Sequence, residues 1–226
     1  MIFDRLIKQI GEDKLTLINS KTVAVIGLGG VGGHAVESLV RSGIENILII
    51  DYDKIDETNL NRQIIALRSN VGELKTEMFK KRIADINPNC RVEVISEFIN
   101  ADNIDILSNY KIDYLVDACD SLLTKKLLIK YCQESNIKLI AAMGAGNKLD
   151  PSKLEITKLS KTSYDPLAKT LRKYIKDNRL KDVVVVASNE KPINTDGAII
   201  SSNSFVPATS GILLASYVIN DIITNK

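Results

Sequence analysis

The run Gly27-Leu28-Gly29-Gly30-Val31-Gly32, followed by Asp51, Arg62, Lys75 and Asp120, is a set of residue types suited to handling a phosphorylated nucleotide. A glycine turn leaves no Cβ atoms in the way of a phosphate, and a helix starting behind it presents unpaired backbone N–H groups to the anion. Asp51 stands 24 residues after Gly27, near the ~20-residue interval at which a carboxylate meets ribose hydroxyls in such folds. On these features alone a hydride-transferring dinucleotide enzyme and an ATP-using enzyme are equally open. Downstream residues separate them. The segment Asp53-Lys54-Ile55-Asp56-Glu57-Thr58-Asn59-Leu60-Asn61-Arg62-Gln63 is followed, twelve residues on, by Lys75. Nicotinamide reduction moves no phosphate that would need such cations. Attack of a carboxylate on the α-phosphate of ATP does, because charge builds on the phosphoryl oxygens and the departing pyrophosphate, where a guanidinium and an ammonium stabilise it. Arg62 and Lys75 fit those roles. Asp120 closes Val116-Asp117-Ala118-Cys119-Asp120 at the carboxyl end of an expected strand, where it can hold Mg²⁺ against a triphosphate.

Such residues converge only if parallel strands bring their carboxyl ends together. Apolar runs alternating with helical patterns place strands at 22–27, 46–50, 91–96, 112–117 and 137–142, and helices at 12–19, 31–42, 74–86, 100–109 and 121–135. Asn87-Pro88-Asn89 stops a helix before the third strand. The rhythm changes after Met143-Gly144-Ala145-Gly146-Asn147. A short strand at 154–159, a basic helix from Asp165-Pro166, an apolar run at 183–186, a polar loop at 189–204 and an amphipathic helix at 207–223 follow. The expected fold is α/β and Rossmann-like: a mostly parallel twisted sheet, helices on both faces, and a C-terminal antiparallel extension. It makes a single domain over 1–226, with a nucleotide-binding core at 1–145 and a substrate-side extension at 146–226.

A chain of 226 residues can bury one good α/β core but not two full domains. With 45% hydrophobic and 26% charged residues it is compositionally globular, and a net charge of +2 neither demands nor excludes a nucleic-acid partner. Cys90, Cys119 and Cys132 are odd in number and form no CxxC pair, which rules out a disulfide framework or a four-thiolate zinc site and points to a reducing compartment. Met1-Ile2-Phe3-Asp4-Arg5 is too charged for a secretory segment, and the apolar stretch 205–223 is interrupted by Pro207, Asn220 and Asp221. A soluble cytoplasmic protein with no membrane partner is expected.

The order GxGGxG, Asp-x-Asp at Asp51 and Asp53, Asn-Leu-Asn-Arg-Gln at 59–63, Lys75 in Val-Gly-x-x-Lys and Asp-x-x-Asp at Asp117 and Asp120 resembles the ubiquitin-activating-like (ThiF/MoeB-type) superfamily of carboxylate adenylating enzymes over roughly residues 3–145. Lys161-Thr162-Ser163-Tyr164-Asp165-Pro166-Leu167-Ala168-Lys169 and Ser204-Phe205-Val206-Pro207-Ala208 are similar to the branch of tRNA threonylcarbamoyladenosine dehydratases, which extends the match over nearly the whole chain. That resemblance implies an ATP-dependent cyclisation, in which the threonyl carboxylate of the modified adenosine is adenylated and then captured intramolecularly with loss of AMP. It implies tRNA as partner, with ATP and Mg²⁺ as cofactors. Gly27, Gly29, Gly30 and Gly32 would form the phosphate turn and Asp51 would take the ribose. Asp53, Asn59 and Gln63 would complete the nucleotide site, Asn61, Arg62 and Lys75 would hold the phosphates, and Asp120 would hold the metal. It further implies a homodimer in which Arg5 crosses to the neighbouring subunit's ATP.

Cysteine usage separates the branches. Ubiquitin-activating relatives place a thiol nucleophile after the adenylating core and sulfur-carrier activators commonly add CxxC pairs, whereas this sequence has no cysteine beyond Cys132. A cyclising dehydratase needs none, because its nucleophile belongs to the substrate and proximity replaces covalent catalysis. Activation of a ubiquitin-like or sulfur-carrier protein stays as the alternative, and a non-catalytic nucleotide-binding scaffold as another. Blander roles compete at single residues. Asp120 could cap the helix starting near Ser121 or share metal binding with Asp117. His34 and Cys119 read as packing positions. Lys169, Arg172, Lys173 and Lys176 could be a solvated face or a contact for tRNA phosphates.

Overall fold

Short continuous apolar runs, buried on both faces, build the centre of the sheet. The computed structural model describes residues 2–193 and 200–224. Its strands are β1 (Thr22–Ile26), β2 (Asn46–Ile50), β3 (Arg91–Ile95), β4 (Tyr114–Asp117), β5 (Lys138–Ala142), β6 (Leu154–Lys158) and β7 (Val184–Ser188). Among the described residues they form one sheet in the order β3-β2-β1-β4-β5-β7-β6. Every pairing is parallel except β6 with β7. The expected fold class is therefore observed, with a smaller antiparallel extension: β7 continues the parallel sheet beside β5, and β6 alone runs back.

The helices are α1 (Asp4–Ile10), α2 (Glu12–Asn19), α3 (Gly32–Arg41), α4 (Lys75–Ile86), α5 (Leu122–Glu134), α6 (Pro166–Asp177) and α7 (Phe205–Thr224). On one face of the sheet Val23, Val25, Ile47, Ile49, Val116 and Ile140 pack with residues of α3, α4 and α7. On the other, Ala24, Ile26, Leu48, Ile50 and Leu115 meet Leu128 and Cys132 of α5, while Ala141, Val185 and Ala187 meet α6 through Leu171 and Ile175. Each fully buried Val, Leu or Ile contributes roughly 1.5–3 kcal/mol, so two covered faces account for a sheet whose central strands are apolar throughout. α7 is long and apolar enough to span a bilayer by composition, but its residues Val206, Gly211, Leu214, Ala215, Val218 and Ile222 are buried in this core.

Strand order reverses between β1 and β4, and the crevice outside their carboxyl ends is the usual ligand position in open α/β sheets. One expected helix, at 100–109, is replaced by a 3-10 helix over Ile104–Asn109. Local side-chain bonds explain the loss: Asn103 Oδ1 accepts from the Asn100 amide at 2.8 Å, and Asn100 Oδ1 from the Asp102 amide at 2.8 Å. Asn and Asp that bond their own backbone compete with helix nucleation. α1 adds a helix beyond those the pattern predicts; Gly11, at φ 89°, separates it from α2.

α3 and α7 approach so closely that a Cβ at Gly211 would collide with the Val31 carbonyl oxygen and stand 2.9 Å from the Ala35 amide. Gly211→Ala should therefore cost about 3 kcal/mol, near the top of the usual overpacking range. Its half-exposed neighbour Ile212 (49% exposed) should tolerate Ala within about 1 kcal/mol. Urea unfolding of the two variants checks the contrast, and equal losses would contradict it.

Candidate active site

The glycine turn leaves β1 at Gly27 with φ 87°. A Cβ there would sit 2.8 Å from the Ala118 carbonyl oxygen, and one at Gly32 would collide with the Gly27 carbonyl. Both positions require glycine for close approach between chain segments, whereas at Gly29 a Cβ would meet only the Gln63 amide, at 3.8 Å. The turn is tied to the second strand by Asp51. Its Oδ2 accepts the Leu28 amide at 2.6 Å and its Oδ1 the Asp53 amide at 2.8 Å. Burial pushes the Asp51 carboxyl above its ordinary range, opposed by the charge of Lys75 and by the two amides. Lys75, 4% exposed at the first position of α4, places Nζ 2.7 Å from Asp53 Oδ2 and 4.0 Å from Asp51 Oδ2.

The segment after Asp53 folds back as a 3-10 turn at Glu57–Asn59, with Asn59 Oδ1 accepting the Asp56 amide at 3.1 Å. That turn carries Arg62 over the glycine turn, where Arg62 Cγ would lie 3.4 Å from a Cβ on Gly30. The Arg62 guanidinium donates to the Thr58 carbonyl at 2.7 Å and to Asn61 Oδ1 at 2.9 Å. Gln63 is buried, and its Oε1 has no hydrogen-bond partner within the protein, which leaves it an acceptor for a bound group. The opposite wall comes from the end of β4 and the loop after β3. Together these segments enclose a cavity of about 310 Å³, within the size range of small-molecule sites.

Of the residues anticipated, Gly27, Gly29, Gly30, Asp51, Asp53, Asn59, Arg62, Gln63, Lys75 and Asp120 all line this cavity. Gly32 stands behind it as the first residue of α3 and shapes the turn. Asn61 does not line it: its amide donates to the Ser202 carbonyl at 3.2 Å, on the exposed side. Arg5 lies exposed on α1 and is not part of the cavity wall of its own chain. Sequence reasoning missed Tyr52, Glu97, Phe98, Ile99 and Thr124. Phe98 and Tyr52 stack edge to face with centroids 5.2 Å apart. Their signal was positional: residues just past β2 and β3 overhang the same sheet edge.

The blander readings separate too. The cap of α5 is Ser121, which accepts the Thr124 amide at 3.2 Å, so Asp120 is not the capping residue. Asp117 is fully buried and bonded to Lys125 Nζ at 3.0 Å, which removes it from a shared metal role. His34 packs on the glycine turn with Nδ1 2.9 Å from the Gly30 carbonyl. Cys119 sits in the cavity wall rather than the interior. Burial, and then the charge of Asp117, push its thiol pKa well up, so it is a protonated and unreactive group. Arg172 is engaged by Thr162 through its carbonyl and hydroxyl, leaving Lys169, Lys173 and Lys176 as the exposed cations of that α6 set. The polar loop expected at 189–204 includes 194–199, which lie outside the described residues.

Among the described residues no three His, Cys, Asp or Glu side chains converge as a metal cage. Mg²⁺ takes one or two carboxylates and fills its shell with waters and substrate phosphates. Asp120, exposed at the cavity rim, fits the carboxylate role.

Fold and cavity together define a nucleotide-binding α/β protein whose phosphate turn faces an arginine, a lysine and a carboxylate. The chain belongs to the ThiF family, which it matches over residues 3–215. It is 41% identical to the tRNA threonylcarbamoyladenosine dehydratase of Bacillus subtilis, over 95% of this chain and 91% of that protein. It is 40% identical to the enzyme of the same name from Escherichia coli, over 91% of this chain and 75% of that one. The crystal structure of the E. coli dehydratase TcdA in complex with ATP superposes with a TM-score of 0.92 at 37% identity, covering 98% of this chain and 93% of that chain.

Lys75 is the cation against which two carboxylates are held, and its loss has a pH signature. Without the ammonium, the Asp51 carboxyl rises further above its unfolded value. The folded state then keeps a proton that the unfolded chain gives up, so stability falls as pH rises from the ordinary carboxylate range through the raised pKa. Lys75→Met should cost about 3 kcal/mol at pH 7 and clearly less at pH 5. Urea titrations at both pH values would show it; an equal loss at both would refute the coupling.

Proposed function

We propose that this chain is an ATP-dependent tRNA threonylcarbamoyladenosine dehydratase. The observation that carries the assignment is the near full-length similarity to dehydratases, on a chain whose site joins a phosphate turn to Arg62, Lys75 and Asp120. In the first step an oxygen of the threonyl carboxylate bonds to the α-phosphorus of ATP as the bond to pyrophosphate breaks. In the second, a nucleophile of the same modified nucleoside attacks the acyl carbon, the ring closes and AMP leaves; the nucleoside has lost one water in sum.

The residues divide this work by chemistry. The glycine turn and the α3 N-terminus receive the phosphates, and Asp51 takes the ribose while its own oxygens anchor the turn. Arg62 reaches the phosphates from above Gly30. Lys75 exchanges its contact with Asp53 for the charge that develops on the phosphoryl group. Asp120 would hold Mg²⁺, which would supply positive charge to offset that of the triphosphate and its leaving group. Phe98 and Ile99 offer an apolar wall for the base. With its three cysteines at 90, 119 and 132, and Cys119 held protonated, the chain has no evident thiol for transfer to a carrier protein.

The protein acts as a cytoplasmic homodimer, with Arg5 reaching the partner's ATP. Support for the crossing is that Arg5 is exposed and does not line the cavity of its own chain. Lys169, Lys173 and Lys176 supply exposed charge for tRNA phosphates, whose contacts carry much of the affinity in such complexes.

Incubation with ATP, Mg²⁺ and tRNA bearing threonylcarbamoyladenosine, followed by digestion and mass measurement, should show loss of one water with AMP release. Asp120→Ala should lower this turnover by a factor of about 100 or more with the fold retained. An unchanged nucleoside, with pyrophosphate exchange that depends on a carrier protein, would replace the assignment by carrier activation. Arg5→Ala and Lys75→Ala subunits, each inactive alone, should regain up to half the wild-type turnover per mixed dimer, because one site then has both residues. No recovery would mean that each site is complete within one chain.

A further inference from the structure

The least expected side chain in the core is Lys125, 1% exposed on the apolar stripe of α5 beside Leu128, Ile129 and Cys132. Its ammonium lies 3.0 Å from Oδ1 of Asp117, which is itself fully buried. The same Oδ1 accepts the Cys119 amide at 3.2 Å and the Cys119 thiol at 3.0 Å, while Oδ2 has no protein partner. A buried ion pair of this kind brings little net stability over apolar residues of the same volume, since desolvation offsets the attraction. Its geometric consequence is larger. Three donors on one oxygen bend the chain after β4 into a fixed turn at 118–120.

That turn is anchored at both ends. Ala118 donates to the Ile26 carbonyl at 2.8 Å, and its own carbonyl backs onto Gly27. Ser121 caps α5, and Thr124 Oγ1 ties that cap to the Ile99 carbonyl at 3.0 Å. Within 117–121, Asp120 alone is exposed, at the rim of the cavity. We propose that Lys125 is a positioning residue: through Asp117 it sets the strand-end turn that backs the phosphate loop and aims Asp120 into the nucleotide cavity. Lys125 does not line that cavity and acts only through the turn.

The inference rests on the nucleotide reading of the cavity, so the test measures ATP binding by calorimetry beside local amide exchange. Lys125→Met alone strands the Asp117 charge, and the informative variant is Asp117→Asn with Lys125→Met, which removes both charges. It should keep a cooperative thermal transition, bind ATP at least tenfold more weakly than the wild type and exchange the amides of 118–120 at least tenfold faster, with β5 unchanged. Lys125→Arg, which keeps the ion pair, should stay within threefold of the wild type in both measurements. If the double variant does not fold, Asp117→Asn with Lys125→Gln, which also removes both charges, is read in its place against the same thresholds. ATP binding within twofold of the wild type in the neutral variant would overturn the positioning role. Failure of the wild type to bind ATP would overturn the nucleotide reading and this inference with it.

Discussion

The contact between Gly27 and Ala118 is the constraint on which the rest of the molecule depends. β1 and β4 lie side by side in parallel, so the chain must leave both at the same sheet edge. Room there is so short that neither Gly27 nor Gly32 can carry a Cβ. Because the backbone is this close, Gly27, Gly29 and Gly30 line a narrow crevice, with α3 starting directly behind them at Gly32. The same closeness puts Asp120 across from the glycine turn.

Around that crevice the protein keeps charge where most folds would exclude it. Asp51 is buried with its carboxyl raised in pKa, yet it accepts the amides of Leu28 in the turn and of Asp53, and faces Lys75. Lys75 rests on Asp53 at 2.7 Å, a pair that is partly open to solvent and therefore exchangeable. The Asp117–Lys125 pair behind the wall is closed to solvent on both sides. One pair is open enough to exchange partners; the other is sealed. Catalysis by electrostatic preorganisation needs both, since a charge that must reorganise during the step stabilises it less.

Much of the site was legible because its residues sit at strand ends, and parallel strands bring their carboxyl ends together whatever lies between them. Gly27 and Asp51 directly follow β1 and β2, and Asp120 stands three residues past the end of β4, so apolar runs placed all three at the same edge. Asn61 is held on the exposed side by its bond to the Ser202 carbonyl, a partner distant in sequence that no local pattern announces. The helix expected over 100–109 failed for a related reason: Asn100 and Asn103 bond their own backbone, a competition that apolar spacing cannot register. Phe98 and Tyr52 were missed because a loop aromatic takes its place through a neighbour distant in sequence.

The sequence by itself determined the parallel α/β class, the phosphate turn and the order of cationic and acidic residues around it, because each is encoded within a short window by spacing and residue type. Only the tertiary structure decided that β7 joins the sheet in parallel, that Lys125 is buried against Asp117 and that Arg172 is engaged by Thr162. Those outcomes depend on packing between segments far apart in the chain, where burial overrides what a charged side chain does in water. The sequence pattern names the chemistry; the close packing at the sheet edge selects which charges are left to perform it.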